Sequence, residues 1–182
     1  MDDDADRALV ERFRNGDREA FTDLVVRYQR PIYNAAFWVL RSVEDAQDVA
    51  QIVFMRVAER LDEYDGQHKF FSWIYRIAVN ESLNLQRRHG REEALDDDVD
   101  IADGDHANPE SQLSQAQLSR RIRGAIMSLS TNDRVVLSLR HFSECSYEEI
   151  AQILDLDEKT VKSRLFEARH RLRGLLAELH QH

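Results

Sequence analysis

The chain has 182 residues, 42% of them hydrophobic, and a formal net charge of −9. That hydrophobic share is enough for a folded core, while 6 Gly and 2 Pro argue against collagen-like, mucin-like and turn-rich sheet folds. The single Cys excludes an internal disulfide and a cysteine-rich zinc site, and no apolar run approaches the roughly 18 residues of a membrane helix. The start, Met1-Asp2-Asp3-Asp4, is the reverse of a basic signal-peptide region, so a cytoplasmic chain with no direct membrane insertion is expected.

Residues 1–88 carry 13 basic and 16 acidic groups. Leu9, Val10 and Phe13 open a short apolar face, and Phe21, Leu24, Val25, Ile32, Tyr33, Ala36, Phe37 and Leu40 continue at helical spacings. Ser42 before Val43-Glu44-Asp45 is an N-cap with carboxylates in the first turn, where unpaired amides and the helix dipole favour them. The helix it starts aligns Val49, Val53, Val57 and Leu61. Residues 62–69 are polar, hold Gly66 and read as a loop. Phe70, Trp73, Ile74, Ile77, Ala78 and Glu81 then follow the i, i+3, i+4, i+7 pattern of an amphipathic helix, which Arg87-Arg88-His89-Gly90 is expected to end. A compact four-helix bundle is predicted.

Its loop and last helix are rich in aromatics. If Phe70, Trp73 and Ile74 supply the buried face, Tyr64, Phe71 and Tyr75 are not all expected to share it. Arg76 and Asn80 lie four apart on one side, with Arg87 and Arg88 beyond. Such a set suits single-stranded nucleic acid: rings stack on bases, an amide reads a base edge, and guanidinium groups hold phosphates. An ordinary core with salt bridges would use the same residue types.

Residues 89–113 carry one basic and nine acidic groups, from Glu92-Glu93 through Asp96-Asp97-Asp98, Asp100, Asp103 and Asp105 to Glu110. With no hydrophobic period, and with Gly104 and Pro109 interrupting it, this stretch reads as an extended flexible linker. Solubility and spacing explain it as well as a partner surface or a nucleic-acid mimic would.

Residues 114–182 carry 11 basic and 9 acidic groups. Leu118, Ile122, Ala125, Ile126 and Leu129 form an apolar stripe, and Ser130 caps a helix with Val135, Val136 and Leu139. Ser146-Tyr147-Glu148-Glu149 is a capping box, followed by Ile150, Ala151, Ile153 and Leu154. Residues 154–157 form a tight connection, and Asp157 caps a helix that buries Val161, Leu165, Ala168, Leu172 and Leu175. Residues 159–173 hold six basic groups and one acid, Glu167. A capped helix, a short turn and a basic helix are the signature of a helix-turn-helix, whose second helix enters the major groove. A protein-binding three-helix bundle with a solvated basic face has the same pattern.

The run 146–172 resembles region 4 of the extracytoplasmic-function (ECF) sigma factors, of the envelope-stress sigma-E type. Residues 45–57, DAQDVAQIVFMRV, resemble their region 2.2, and 71–80, FSWIYRIAVN, resemble regions 2.3 and 2.4. The three motifs stand in family order over roughly residues 9–177. The resemblance implies an all-α chain of two small helical domains: a region 2 domain over 1–90, an acidic linker over 91–113, and a region 4 helix-turn-helix domain over 114–182. It implies bacterial core RNA polymerase as partner, through the beta-prime clamp helices and the beta flap. Promoter DNA, both duplex and single-stranded, and an anti-sigma factor are further implied partners. Such an anti-sigma factor is often membrane-anchored and would hold the chain at the inner membrane face. The resemblance implies neither enzymatic activity nor a cofactor.

Carried over residue by residue, Asp45, Asp48, Gln51 and Phe54 fall in the polymerase-docking region. Tyr64, Phe71, Trp73, Tyr75, Arg76, Asn80, Arg87 and Arg88 fall at the minus-ten element, with Asn80 holding a flipped base and loop 62–69 closing over it. Lys159, Lys162, Ser163, Arg164, Phe166, Glu167 and Arg169 fall at the minus-thirty-five element. Two positions depart from the family pattern: Ile52 stands where an acid is usual, and Glu167 where a base is usual. Glu167 can accept from cytosine N4, so a shifted minus-thirty-five preference is expected. Alternatives from other classes are an adaptor or decoy that binds an anti-sigma factor, and a non-sigma helix-turn-helix regulator. Cys145 with His141 reads as structural rather than catalytic, and His180 with His182 as a terminal tail rather than a metal site.

Overall fold

A computed structural model describes residues 3–92, 119 and 121–178. Most of the acidic linker, and His180 and His182, lie outside the described residues. The first module holds α1 (Asp3–Arg14), α2 (Arg18–Leu40), α3 (Val43–Arg60), a 3-10 turn (Leu61–Glu63) and α4 (Phe70–Glu92). In the second, residues 121–127 are helical, followed by α5 (Thr131–His141), α6 (Tyr147–Leu154) and α7 (Glu158–Glu178). All regular structure among the described residues is helical.

The helix starts follow from local chemistry. Asp17 accepts from the amides of Glu19 (3.0 Å) and Ala20 (3.4 Å) to begin α2, and Ser42 accepts from Asp45 N (3.1 Å) to begin α3. Ser130 accepts from Asp133 N (3.3 Å), and Ser146 and Glu149 satisfy each other's amides at 3.1 and 2.7 Å. Asp157 takes Thr160 N at 2.7 Å and its hydroxyl at 2.8 Å, which hold the carboxyl below the usual range. The turn from α6 to α7 pivots on Asp155, whose left-handed φ of 55° lets its N–H return to Ala151 O. At the other end of the first module, α4 runs past the expected stop at Gly90 to Glu92. A glycine in the right-handed region weakens a helix by only about 1 kcal/mol, so Gly90 alone does not end one.

Leu24, Tyr28, Ile32, Val49, Val53, Val57, Phe70 and Ile74 fill the first core, and Val136, Leu139, Ile150, Ile153, Val161, Leu165 and Ala168 the second. Asp6 is 1% exposed and accepts from both Arg27 and the Tyr28 hydroxyl, tying α1 to α2. Burial and the Asp6 carboxylate push the Tyr28 phenol far up. Cys145 is buried, as the structural reading expects, and desolvation pushes its thiol up to about 12.

The two modules pack on each other, α2 against α5 and α4 against α6. This arrangement overturns one expectation: Tyr64, Phe71 and Tyr75 are all buried (3, 5 and 1% exposed) alongside Phe70 and Ile74, while Trp73 is half-buried. The expectation counted only the first module's own core. Phe71 and Tyr75 use a second face of α4, which the second module covers.

Removing the Asp6 carboxylate leaves a buried tyrosine hydroxyl and a guanidinium without their acceptor. Asp6→Ala is expected to lower the unfolding free energy by about 3 kcal/mol. Urea denaturation checks this, and an unchanged midpoint would contradict it.

Candidate functional site

Three faces carry the candidate residues. On α3, Asp48 and Gln51 are exposed, and Phe54 lines an open groove of about 540 Å³ between α2 and α3 with Val25, Gln29, Tyr33, Gln47 and Ala50. Asp45 stands apart at the capped end of the helix, half-buried, with Oδ2 3.6 Å from His89 Nδ1 of α4. Ile52 and Met55 are exposed beside Gln51. Ile52 therefore adds apolar surface beside Gln51.

The second face belongs to α4 and the loop before it. Arg14 donates to the carbonyls of Leu61 (2.9 Å) and Tyr64, and Arg7 to Gly66 O (3.4 Å), so α1 holds the loop. Within the loop, Tyr64 Oη donates to His68 O at 2.8 Å, and Asp65 Oδ1 accepts from Gln67 N at 2.9 Å. Gly66 takes φ +73°, a conformation side chains resist. Tyr64, Phe70 and Trp73 form a ring cluster with centroids 5.5–5.7 Å apart. Phe71 and Tyr75 form a second pair at 4.2 Å. Arg76, Asn80 and Arg87 are exposed along one stripe of α4, and Arg88 is exposed beside it. A cleft of about 320 Å³ separates the loop and α4 from α6, lined by Tyr64, Trp73 and Arg76 on one side and Glu148, Gln152 and Asp155 on the other.

The third face is the outer side of α7. Lys159, Lys162 and Ser163 are exposed, Arg164 and Arg169 are half-buried, and Phe166 is 73% exposed. Lys162 pairs with Glu158 at 3.2 Å and lies over the Tyr147 ring, 5.7 Å from its centroid. Arg169 Nε donates to His141 Nε2 at 3.4 Å; burial, with Arg169 and Arg140 nearby, keeps that imidazole below its usual range. Glu167 is not isolated. Arg171 donates to it at 3.0 Å and to both Asp133 oxygens at 2.9 and 2.6 Å. Glu167 thus shares a guanidinium that Asp133 of α5 also holds.

The structure keeps Arg76, Asn80 and Arg87 together on α4 but sets Asp45 apart from Asp48 and Gln51, and buries Phe71 and Tyr75 on another side of α4. The sequence reading missed the groups between faces. The i, i+4 spacing of Glu167 and Arg171 was available as a signal. Lys69 with Glu149 (2.8 Å), Arg76 with Asp155 (3.5 Å) and Arg134 with the end of α2 join segments far apart in the chain, and no local pattern marks them. Among the described residues no cluster of His, Cys, Asp or Glu is suited to a metal, and no helix is long and apolar enough to cross a membrane.

Comparison with known proteins agrees with this geometry module by module. The sigma-70 region 2 model matches residues 24–92, and the sigma-70 region 4 model matches residues 119–172. The RNA polymerase sigma-H factor of Pseudomonas aeruginosa is 33% identical over 183 residues, covering 96% of this chain and 95% of that protein. The ECF RNA polymerase sigma-E factor of Escherichia coli K12 is 38% identical over 176 residues, 90% of each. Among solved structures, CnrH in complex with the cytosolic domain of CnrY superposes with a TM-score of 0.71 at 27% identity, covering 96% of this chain and 98% of that one. With both modules matched in order, and relatives above 30% identity along nearly the full length, the chain belongs to the ECF group of the sigma-70 family of RNA polymerase sigma factors.

Proposed function

We infer that the two modules divide the work of directing core RNA polymerase to its promoters, the first docking and opening, the second reading duplex. The observation that carries this is the pair of exposed faces, one in each family-matched module: Arg76, Asn80 and Arg87 on α4, and Lys162, Ser163 and Phe166 on α7. The chain is no enzyme in itself; polymerase supplies the catalysis and the sigma factor the positioning.

Docking falls to α3. Asp48 and Gln51 offer solvated acceptors to the basic clamp helices of the beta-prime subunit, and the groove at Phe54 offers apolar surface beside them. At the minus-ten element an unpaired base meets the aromatic loop, the Asn80 amide reads its edge, and Arg76, Arg87 and Arg88 hold phosphates. At the minus-thirty-five element Lys162 and Ser163 reach phosphate or base edges, Phe166 meets a thymine methyl, and Lys159, Arg164 and Arg169 add charge along the backbone. The beta flap then holds the second module in place. Neither module has a large positive excess, so each binds weakly alone and linkage on polymerase raises the effective concentration of the second.

An anti-sigma factor is the further partner. Support comes from the match in shape with CnrH as held by the cytosolic domain of CnrY. A membrane-anchored partner of that kind would hold the chain at the inner face of the membrane. An adaptor that had given up promoter contact would have no use for exposed Asn80, Lys162 and Ser163, which favours the sigma factor over a decoy.

Run-off transcription with core polymerase and a genomic fragment library is expected to yield start sites that share two spaced upstream elements. Core binding without start sites would shift the reading to the decoy. Within that assay Asn80→Ala is expected to impair promoter opening more than core binding, while Lys162→Ala with Ser163→Ala weakens duplex recognition. Equal loss of polymerase affinity in both would contradict the division of labour. Glu167→Arg is expected to strengthen duplex binding and steepen the slope of log affinity against log salt by about one unit. An unchanged slope in a salt titration would place residue 167 away from the phosphates.

A further inference from the structure

Glu167 is the one acid among the six basic side chains of residues 159–173. Val161, Leu165 and Ala168 turn to the core, which leaves Ser163 and Glu167, four apart, as neighbours on the outer side of α7 beside the exposed Phe166 ring. That side is the one assigned above to duplex DNA. A carboxylate there is repelled by phosphates unless it meets a donor.

The fold braces this carboxylate from another helix. Arg171 Nη1 donates to Asp133 Oδ1 at 2.9 Å and to Oδ2 at 2.6 Å, and the Asp133 side chain, in the first turn of α5, is 7% exposed. With one nitrogen fixed on a buried carboxylate, the planar guanidinium presents the other in a set direction, and Nη2 donates to Glu167 Oε2 at 3.0 Å. Glu167 Oε1 takes no hydrogen bond or ion pair among the described residues, and its side chain is 56% exposed. Two carboxylates share one guanidinium, so the trio stays net negative and the free oxygen keeps its capacity to accept.

Helix stability does not account for this arrangement. An exposed i, i+4 pair adds little to a helix, and a net negative charge among DNA-facing cations weakens non-specific binding. A braced acceptor on this face does suit a base edge. In the major groove only cytosine and adenine present amine donors. Adenine N6 stands beside the N7 acceptor, which opposes a carboxylate, whereas cytosine N4 has no acceptor beside it on its own base. Guanine and thymine turn acceptors toward the groove and are rejected.

We propose that Glu167 selects a cytosine in the upstream promoter element, and that Arg171, braced on Asp133, is the positioning residue that aims it. The proposal rests on α7 reading duplex DNA. It adds the base that one position takes and the residues behind the reading face that set it.

The test uses holoenzyme, assembled from core polymerase and the full chain, selected on a double-stranded promoter library randomised through the upstream element. Wild type is expected to enrich cytosine over thymine about tenfold at one position, within the range of a single base contact. Glu167→Gln replaces a pure acceptor with an amide that pairs bidentately with adenine, so the enriched base there is expected to move from cytosine to adenine. Arg171→Lys keeps the charge and a partner for Asp133 but lacks the fork that reaches Glu167. Its cytosine preference is expected to fall to about threefold, with the salt dependence of binding unchanged. Both side chains are more than half exposed, so both variants keep the fold. A guanine or thymine preference at the position that Glu167→Gln alters, or a structured profile that this variant leaves unaltered, would overturn the proposal alone. Full cytosine preference in Arg171→Lys would overturn the positioning role. A wild-type profile with no upstream preference at any position would overturn α7 as the duplex reader, and the proposal with it.

Discussion

Helix α4 is apolar on two sides, and one small bundle can cover only one of them. Phe70, Ile74 and Ala78 face the first core, where α2 and α3 pack. Phe71 and Tyr75 face away from it and are covered by the second module. Burying a large aromatic side chain stabilises by about 1.5–3 kcal/mol, so leaving two such rings in water is a standing drive for something to cover them. Here that something is the second module, chiefly α6.

The same constraint explains how a chain of net charge −9 can belong to a DNA-reading family. The excess negative charge is concentrated in the first residues and in residues 89–113, and within the folded modules several acids stand at helix starts or against particular cations. Glu149 serves twice, as the acceptor that closes the α6 capping box and as the partner of Lys69. Glu167 shares the one Arg171 guanidinium with Asp133, so the trio keeps one net negative charge. Duplex affinity then depends on a short row of cations on α7, which is weak by itself and salt-sensitive, as suits a factor that acts only when polymerase presents it.

Local chemistry was legible along the chain. Ser42, Ser130, Ser146 and Asp157 cap the helices that their sequence context implies, because a cap depends only on residues within one turn. The three faces were legible too, since 3.6-residue periodicity places side chains on a side of a helix without knowledge of its neighbours. The burial of Phe71 and Tyr75 was not, because it depends on a second module more than 60 residues away. Arg134 is the clearest case. Nothing in the context Thr131-Asn132-Asp133-Arg134 distinguishes a surface arginine from one 3% exposed against the end of another helix, because its acceptors are backbone carbonyls that every residue possesses. Gly90 misled in the opposite direction, as a residue that often ends helices and here does not.

The packing of α2 against α5 and of α4 against α6 is what gives Phe71 and Tyr75 their cover. Arg18 and Arg173 are exposed and lie in different modules, and the native Cys145 is too buried to take a label. Spin labels at Arg18→Cys and Arg173→Cys would report the distance between modules directly by pulsed electron resonance. Packed modules predict one narrow, short distance in the free chain. A broad, long distribution in the free chain would contradict that packing.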